Sequence, residues 1–507
     1  MNAFMTAMKN DSNFGYTENG VVKHLTTGSK VYDMFAMGGA YRSRDEHDVL
    51  DLFTGAYGEH SELAMKCLFY LRDAREGQGE RRFFKTCIHW LATHQADAVK
   101  RNLQYIAMFG RWDDFYCLVG TPLEKEMFAY LKEQLTLDVQ CKTPSLLAKW
   151  LKSENTSSAE SRLLGRKTRE AFGMTAKQYR KTLSILRERI NVLERLMSAG
   201  KWDEIEFDKI PSRAGFIYRN AFARHDIERA KSDKNVQTYA DFAKDTTTKV
   251  NAKVLYPYEC VEKAIRVWGR PVEDTERLMV NKYWENLADY IKGATFDGIA
   301  VVDTSGSMMG TPMNVAISLG MYCATKAKGP YANHFFSFSN RPEFLEVHGH
   351  DFVEKVRNIV DDADWGGSTN VEAVFDKILQ IAIDNKLAQE DIPGKVIVIS
   401  DMEFNACVSS NSNSGYSYFG SYGNRSFNKD TLFEAMAKKW AQFGYKLPRL
   451  IFWNVDARSN NIPMKDDGNV TYVSGFSPVI YEQIMKNKTS IDLMLDKLMS
   501  ERYACIH

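Results

Sequence analysis

Asp303-Thr304-Ser305-Gly306-Ser307 sets one carboxylate and two hydroxyls at alternate positions. Side chains two residues apart in an extended loop can turn the same way, so Asp303, Ser305 and Ser307 can converge on one point. Oxygen donors of this kind suit a hard divalent cation, Mg2+, Mn2+ or Ca2+, rather than Zn2+. One carboxylate with two neutral hydroxyls makes a weakly charged site. Such a site keeps the ion electrophilic and leaves room for an acidic ligand from a partner. A strand followed by a plain Ser/Gly turn would carry the same five residues, so the flanking sequence has to decide.

The run Ile299 to Val302 has the length and β-branched content of a buried parallel strand, and Asn314 to Thr325 reads as a helix. The five residues then lie at the carboxyl end of a strand, the edge where open α/β sheets bind ligands. Two later stretches extend the pattern. Trp365-Gly366-Gly367-Ser368-Thr369-Asn370 is a Gly-rich loop entering a helix, Val371 to Ile383. Lys395-Val396-Ile397-Val398-Ile399-Ser400-Asp401 is a second buried strand ending in an Asp.

In this order the three stretches resemble the metal-ion-dependent adhesion site of von Willebrand factor A (vWA) domains. The resemblance implies that Asp303, Ser305 and Ser307 are first-loop ligands, Thr369 the second-loop ligand and Asp401 the third-loop carboxylate. The common second loop is Gly-Gly-Thr. Here Ser368 intervenes, so either Ser368 or Thr369 fills that position.

With 507 residues the chain exceeds the size at which one core stops growing, and at least two domains are expected. A net charge of +1 says nothing about partners. No apolar run is long enough to span a bilayer, and the first sixteen residues lack the apolar core of a signal peptide. The eight Cys are scattered without a CxxC, as in proteins of a reducing compartment, and structural zinc is not expected. A cytoplasmic location is therefore expected.

From Gly28 onward the pattern is helical. Leu63, Ala64, Cys67, Leu68 and Leu71 recur at helical spacing, and amphipathic segments follow at Phe83 to His94 and Asp97 to Ile106. Pairs of helices joined by short turns suit an α-solenoid or a plain bundle. The segment Cys141 to Arg189 differs in charge: twelve Lys or Arg stand against four Glu, a balance of +8. Such an asymmetry suits a polyanion. Its candidate RNA contacts are Lys142, Lys149, Trp150, Lys152, Arg162, Arg166, Lys167, Arg169, Lys177, Tyr179, Arg180, Lys181 and Arg187. The basic side chains would hold phosphates, and Trp150 and Tyr179 would stack on unpaired bases.

Arg72-Asp73, Gly79-Glu80-Arg81, FGRWDDF, SLLAKWLKSENTSS and YRKTLSILRERINVLERLMSAGKWDEIEFDKIPSRA resemble the TROVE module shared by telomerase-associated, Ro and vault proteins. The nearest likeness is to an uncharacterised TROVE-like branch. TROVE followed by vWA is the order of the Ro autoantigen family. The resemblance implies HEAT-like helical repeats closed into a ring, RNA in and around its basic hole, and a vWA domain closing the ring.

The expected fold is α plus α/β: an arm at 1–20, a helical solenoid at 21–293, and a doubly wound, Rossmann-like vWA domain at 294–507. The expected function is RNA binding, to single-stranded ends or structured small RNA, non-coding or misfolded. The metal would serve structure or the docking of a protein partner. Neither membrane nor DNA is an expected partner. The rival is a metal-dependent protein–protein adaptor without RNA binding, favoured by the Tyr-rich, nearly uncharged insertion Asn405 to Asp430, expected to be mobile. Catalysis is not expected. No HExxH or Ser/His/Asp order occurs, and an aspartyl phosphohydrolase would want a second Asp where Ser305 stands.

Overall fold

The computed structural model describes residues 13–232, 237–292, 294–405, 430–465, 468–486 and 488–507. The chain forms two compact units. The first comprises Met1–Ala64, Tyr256–Trp268 and Asp289–Ser500; the second comprises Met65–Leu255, Gly269–Ala288 and Glu501–His507.

The first unit is built on a six-stranded sheet. After a small hairpin, β1 (Phe14–Tyr16) and β2 (Val22–His24), come β3 (Gly298–Asp303), β4 (His334–Phe338), β5 (Pro342–Glu346), β6 (Lys395–Ser400), β7 (Arg449–Asn454) and β8 (Val470–Ser474). The sheet order is β5-β4-β3-β6-β7-β8, parallel except for β5, which pairs antiparallel at the edge. The chain winds from β3 outward to β4 and β5, then returns to β3's other side with β6. Winding reverses between β3 and β6, the switch point at which doubly wound sheets open a crevice for ligands.

Both sheet faces are covered, and consecutive strand residues show how. Phe452 packs on Phe433 of the helix Leu432–Gln442, while its neighbour Trp453 packs on Tyr481 of the helix Ile480–Ile484. Adjacent strand side chains point to opposite faces. Central strands buried on both sides therefore read as unbroken apolar runs, and β3 and β6 are buried nearly throughout.

The N-terminal hairpin joins this unit. Its β2 pairs with the backbone of Ile462, and Gly20 bridges to Asn405. Gly39 donates its N–H to Ser474 Oγ at 3.0 Å, and a Cβ there would stand 2.5 Å from the Ser474 carbonyl oxygen. The linear division into an arm, residues 21–293 and residues 294–507 therefore does not match the compact units. The first 64 residues group with the sheet, as does the helix Pro257–Val267, and the last seven residues group with the helices. Local periodicity cannot report such distant pairings. Of the insertion, residues 406–429 lie outside the described residues.

The second unit is helical. Its core includes an aromatic cluster in which Phe69 packs edge-on to Phe84 and Phe109, and Phe109 stacks on Tyr503. Beside it lies a buried ion network. Asp114 accepts from Arg72 Nε at 2.8 Å and Arg81 Nε at 2.9 Å, and Asp73 accepts from Arg502 Nη2 at 2.8 Å and the Tyr503 hydroxyl at 2.9 Å. Burial pushes the Asp114 carboxyl up, but the Arg72 and Arg81 guanidiniums outweigh it and hold the group below its usual range. The motifs Arg72-Asp73, Gly79-Glu80-Arg81 and FGRWDDF thus include the charges that knit the unit together. No helix among the described residues is long and apolar enough to cross a membrane.

Asp114→Ala leaves Arg72 buried without its carboxylate, which costs about 3–5 kcal/mol. Urea denaturation should show the helical unit losing its transition midpoint, with the α/β unit unchanged.

Candidate functional site

Asp303 ends β3, and Asp401 follows β6, so the two carboxylates flank the point where the winding reverses. Both are buried. Ser400 Oγ donates to Asp303 Oδ2 at 2.5 Å, and the Ser305 amide donates to Asp303 Oδ1 at 2.9 Å. The Ser305 and Ser307 hydroxyls lie 3.1 Å apart, and Ser307 is close enough to the Asp401 carboxylate to lower its pKa. The Glu403 amide donates to Asp401 Oδ1 at 3.1 Å. Asp401 Oδ2 is buried and accepts no hydrogen bond from any described residue. The nearest cation to it is the Arg458 guanidinium, with Nε at 3.6 Å.

The second loop is held against the other two. Gly366 and Gly367 adopt φ of +86° and +74°, a region that side chains disfavour. The turn they make lets the Gly366 amide donate to the Thr304 carbonyl at 3.0 Å. The Thr369 carbonyl accepts from the Asn405 amide at 3.0 Å, tying this loop to the one after Asp401. Thr369 is buried, whereas Ser368 is exposed and its hydroxyl donates to Asn340 Oδ1 at 3.0 Å. Burial thus groups Thr369, rather than Ser368, with Asp303, Ser305 and Asp401.

Burial, with the Asp401 carboxylate nearby, pushes the Asp303 carboxyl up to about 7. Burial also raises Asp401, against the hydrogen bond from Glu403, the nearby Ser307 hydroxyl and the charge of Arg458. Two acids held this way call for a shared proton or a cation between them. The donor set is oxygen only, and one carboxylate oxygen lacks a hydrogen-bond donor. These residues fit a hard divalent ion.

Ser400 and Arg458 are site residues that the sequence reading missed. Ser400 was legible in principle, since it ends β6 directly before Asp401. Arg458 carried no signal, because it lies in a loop 57 positions beyond Asp401.

The basic segment divides into paired and unpaired groups. Lys167 pairs with Glu124 at 3.1 Å, Arg169 with Glu154 at 2.7 Å and Lys149 with Glu194 at 3.8 Å. Arg187 is spent on the carbonyls of Ala148 and Leu151, and Arg162 on those of Thr156 and Ser157. Trp150 is half-buried under the Arg111 guanidinium, 4.4 Å from its ring centre, and Lys152 lies over the Tyr116 ring. Tyr179 is a correction: its ring is fully buried and its hydroxyl donates to the Lys152 carbonyl, so it offers no face to a base. It sits on the apolar stripe of its helix with Leu183 and Leu186, a core position at helical spacing. Lys142, Arg166, Lys177, Arg180 and Lys181 are exposed and have no acidic partner among the described residues.

Asp303→Asn tests the carboxylate pair. In metal-free protein the folded chain holds a proton on Asp303 up to about pH 7, whereas the unfolded chain releases it near the ordinary value of 3.8. The folded state then binds more protons across that window, so this group makes stability fall as pH rises from about 4 to 7. Asp303→Asn should flatten that slope in denaturant titrations and abolish divalent-ion binding by calorimetry.

Two family models match the chain. One, described as "Domain of unknown function (DUF2828)", matches residues 17–171 and 138–295. The other, "Domain of unknown function (DUF7788)", matches residues 297–502. A curated relative, "Uncharacterized protein L728" of Acanthamoeba polyphaga mimivirus, is 32% identical over 514 residues, covering 94% of this chain and 85% of the relative. Among solved structures, the Deinococcus radiodurans RO (RSR) protein aligns over 92% of both chains at 13% identity, with a TM-score of 0.35. The DUF2828 match spans more than half of the chain, and the viral relative extends the likeness over nearly all of it: the chain belongs to the DUF2828 family.

Proposed function

We propose that this chain is an RNA-binding protein with a divalent-cation site on its α/β unit. The RNA reading rests on one observation above the rest. Arg166 lies on the helix Ala159–Ala171, and Lys177, Arg180 and Lys181 lie on the next, Ala176–Arg189; all are exposed and have no acidic partner among the described residues. Ser158 caps the first helix and a Thr175–Gln178 capping box starts the second. The four cations therefore stand on preformed helices and need little ordering to meet a phosphate backbone. Contacts of this kind give affinity with modest sequence preference, and single-stranded ends or loops are the expected ligands. A ring of helical repeats with a vWA domain is the finer architecture in this proposal.

The ion would be held by Asp303, Ser305, Ser307 and Asp401, with Thr369 direct or through water. It would supply a fixed positive charge at the sheet's edge, for structure or for an acidic partner group, rather than hydrolysis. One feature favours the rival reading of a protein adaptor. Met309, two residues past Ser307, is 78% exposed and would suit an apolar contact on a docked protein.

Replacing Arg166, Lys177, Arg180 and Lys181 with Ala should weaken binding to all single-stranded RNAs alike. It should also flatten the slope of log affinity against log salt by about three, at roughly 0.7 per phosphate contact. Filter binding over a salt series measures both. Unchanged affinity and slope would remove the RNA reading and leave the adaptor.

A further inference from the structure

Arg458 touches three parts of the first unit at once. Its Nε lies 3.6 Å from Asp401 Oδ2, the carboxylate oxygen without a hydrogen-bond donor among the described residues. Its Nη2 donates to the Ser307 carbonyl in the first loop. Its Nη1 lies 3.5 Å from the Glu18 carboxylate in the N-terminal hairpin. Asp401 is buried, whereas Glu18 is largely exposed.

The hairpin segment that carries Glu18 is fastened to the loop after Asp401. Thr17 Oγ1 donates to the Phe404 carbonyl at 3.1 Å, the Glu18 amide to Glu403 Oε2 at 2.8 Å, and Asn19 Nδ2 to the Glu403 carbonyl at 2.6 Å. Ser459, next to Arg458, donates to Glu403 Oε1 at 2.5 Å, and Lys23 lies 3.8 Å from the same oxygen. Glu18, Asn19, Lys23 and Ser459 thus grip Glu403 together, two positions beyond Asp401. Lys23 pairs with Glu403 and also feels the Glu18 charge, but among the described residues Arg458 is the cation paired with both Asp401 and Glu18.

We infer that Arg458 is a tethered cation that competes with the divalent ion for Asp401, and that Glu18 draws it aside when the ion enters. With no ion, the guanidinium offsets the Asp401 charge. An ion on Asp401 neutralises that carboxylate and repels Arg458, whose remaining acidic partner is Glu18. The Arg458–Glu18 pair then tightens, and with it the seat of the hairpin. Coupling of this kind is reciprocal, so a seated hairpin with its Glu18 charge strengthens ion binding by the same factor. The hairpin and the ion site act as one switch: occupancy closes the hairpin down, and a detached hairpin weakens the site.

Because this presupposes the divalent site proposed above, the test separates the two. Mn2+ alone is titrated into the full chain at constant ionic strength, with the free ion read by electron paramagnetic resonance. Glu18→Gln, an exposed and nearly isosteric change, should lower Mn2+ affinity about two- to fivefold, the size of an exposed ion-pair interaction. In an Arg458→Gln background the same change should have no effect, because the cation it acts through is gone. This comparison holds even if Arg458→Gln loosens the Ser307 loop by itself. Hydrogen exchange at residues 17–24 should slow on adding Mn2+ to the wild type and not to Glu18→Gln. Wild-type protein that takes up no Mn2+ overturns the divalent site itself. Wild type that binds Mn2+ as tightly as Glu18→Gln does, or an equal loss in both backgrounds, overturns the coupling and leaves the site standing.

Discussion

The α/β unit is arranged around two buried carboxylates at one sheet edge. Asp303 and Asp401 come from strands that pair with each other, on either side of the winding reversal. Placing two acids in one buried spot is costly, and both are pushed toward their protonated forms. The surroundings are built to bear that cost: Ser400, Ser305 and Ser307 aim hydroxyls or amides at them, and Arg458 sets a positive charge beside the open oxygen. Each supporting group sits on a loop that must itself be held. The Gly366-Gly367 turn, the Asn405 amide and the N-terminal hairpin do that holding.

The helical unit solves a similar problem differently. Its buried charges, Asp73 and Asp114, meet Arg72, Arg81 and Arg502, so they stay ionised and cross-link distant parts of the chain. Four buried free thiols, Cys67, Cys87, Cys260 and Cys323, serve the two units as small apolar side chains. The contrast is informative. Acids matched by guanidiniums stabilise a core, whereas Asp303 and Asp401 are both pushed up by burial and are the pair proposed to hold a divalent ion.

The charge of the basic segment was countable in the sequence, but its availability was not. A balance of +8 over Cys141 to Arg189 says how many cations exist. Whether each is free depends on acids far away in sequence: Glu124 takes Lys167 and Glu194 takes Lys149, while nearer Glu154 takes Arg169. Arg187 and Arg162 went to backbone carbonyls, a use that no count of opposite charges could expose. Tyr179 failed as a stacking residue because an aromatic at helical spacing from leucines is first of all a core residue.

By itself the sequence determined the two central strands, one ending at Asp303 and one running up to Asp401, and the helices over 314–325 and 371–383, but not the hairpin β1–β2. Those signals are local: an unbroken apolar run for a strand buried on both faces, and a 3.6-residue period for a helix. It also placed Asp303, Ser305, Ser307 and Asp401 on two strand-end loops, because a strand that stops at a polar residue shows its edge, and Thr369 on a Gly-rich loop that enters a helix. Only the tertiary structure decided what those loops share. Thr369 turned inward while Ser368 was held by Asn340, Ser400 supported Asp303, and Arg458 arrived from a loop with no motif. Tertiary structure alone also decided that the first 64 residues belong with the sheet and the last seven with the helices. Pairing between segments hundreds of residues apart is set by which surfaces bury each other, and neither period nor composition within a segment carries that information.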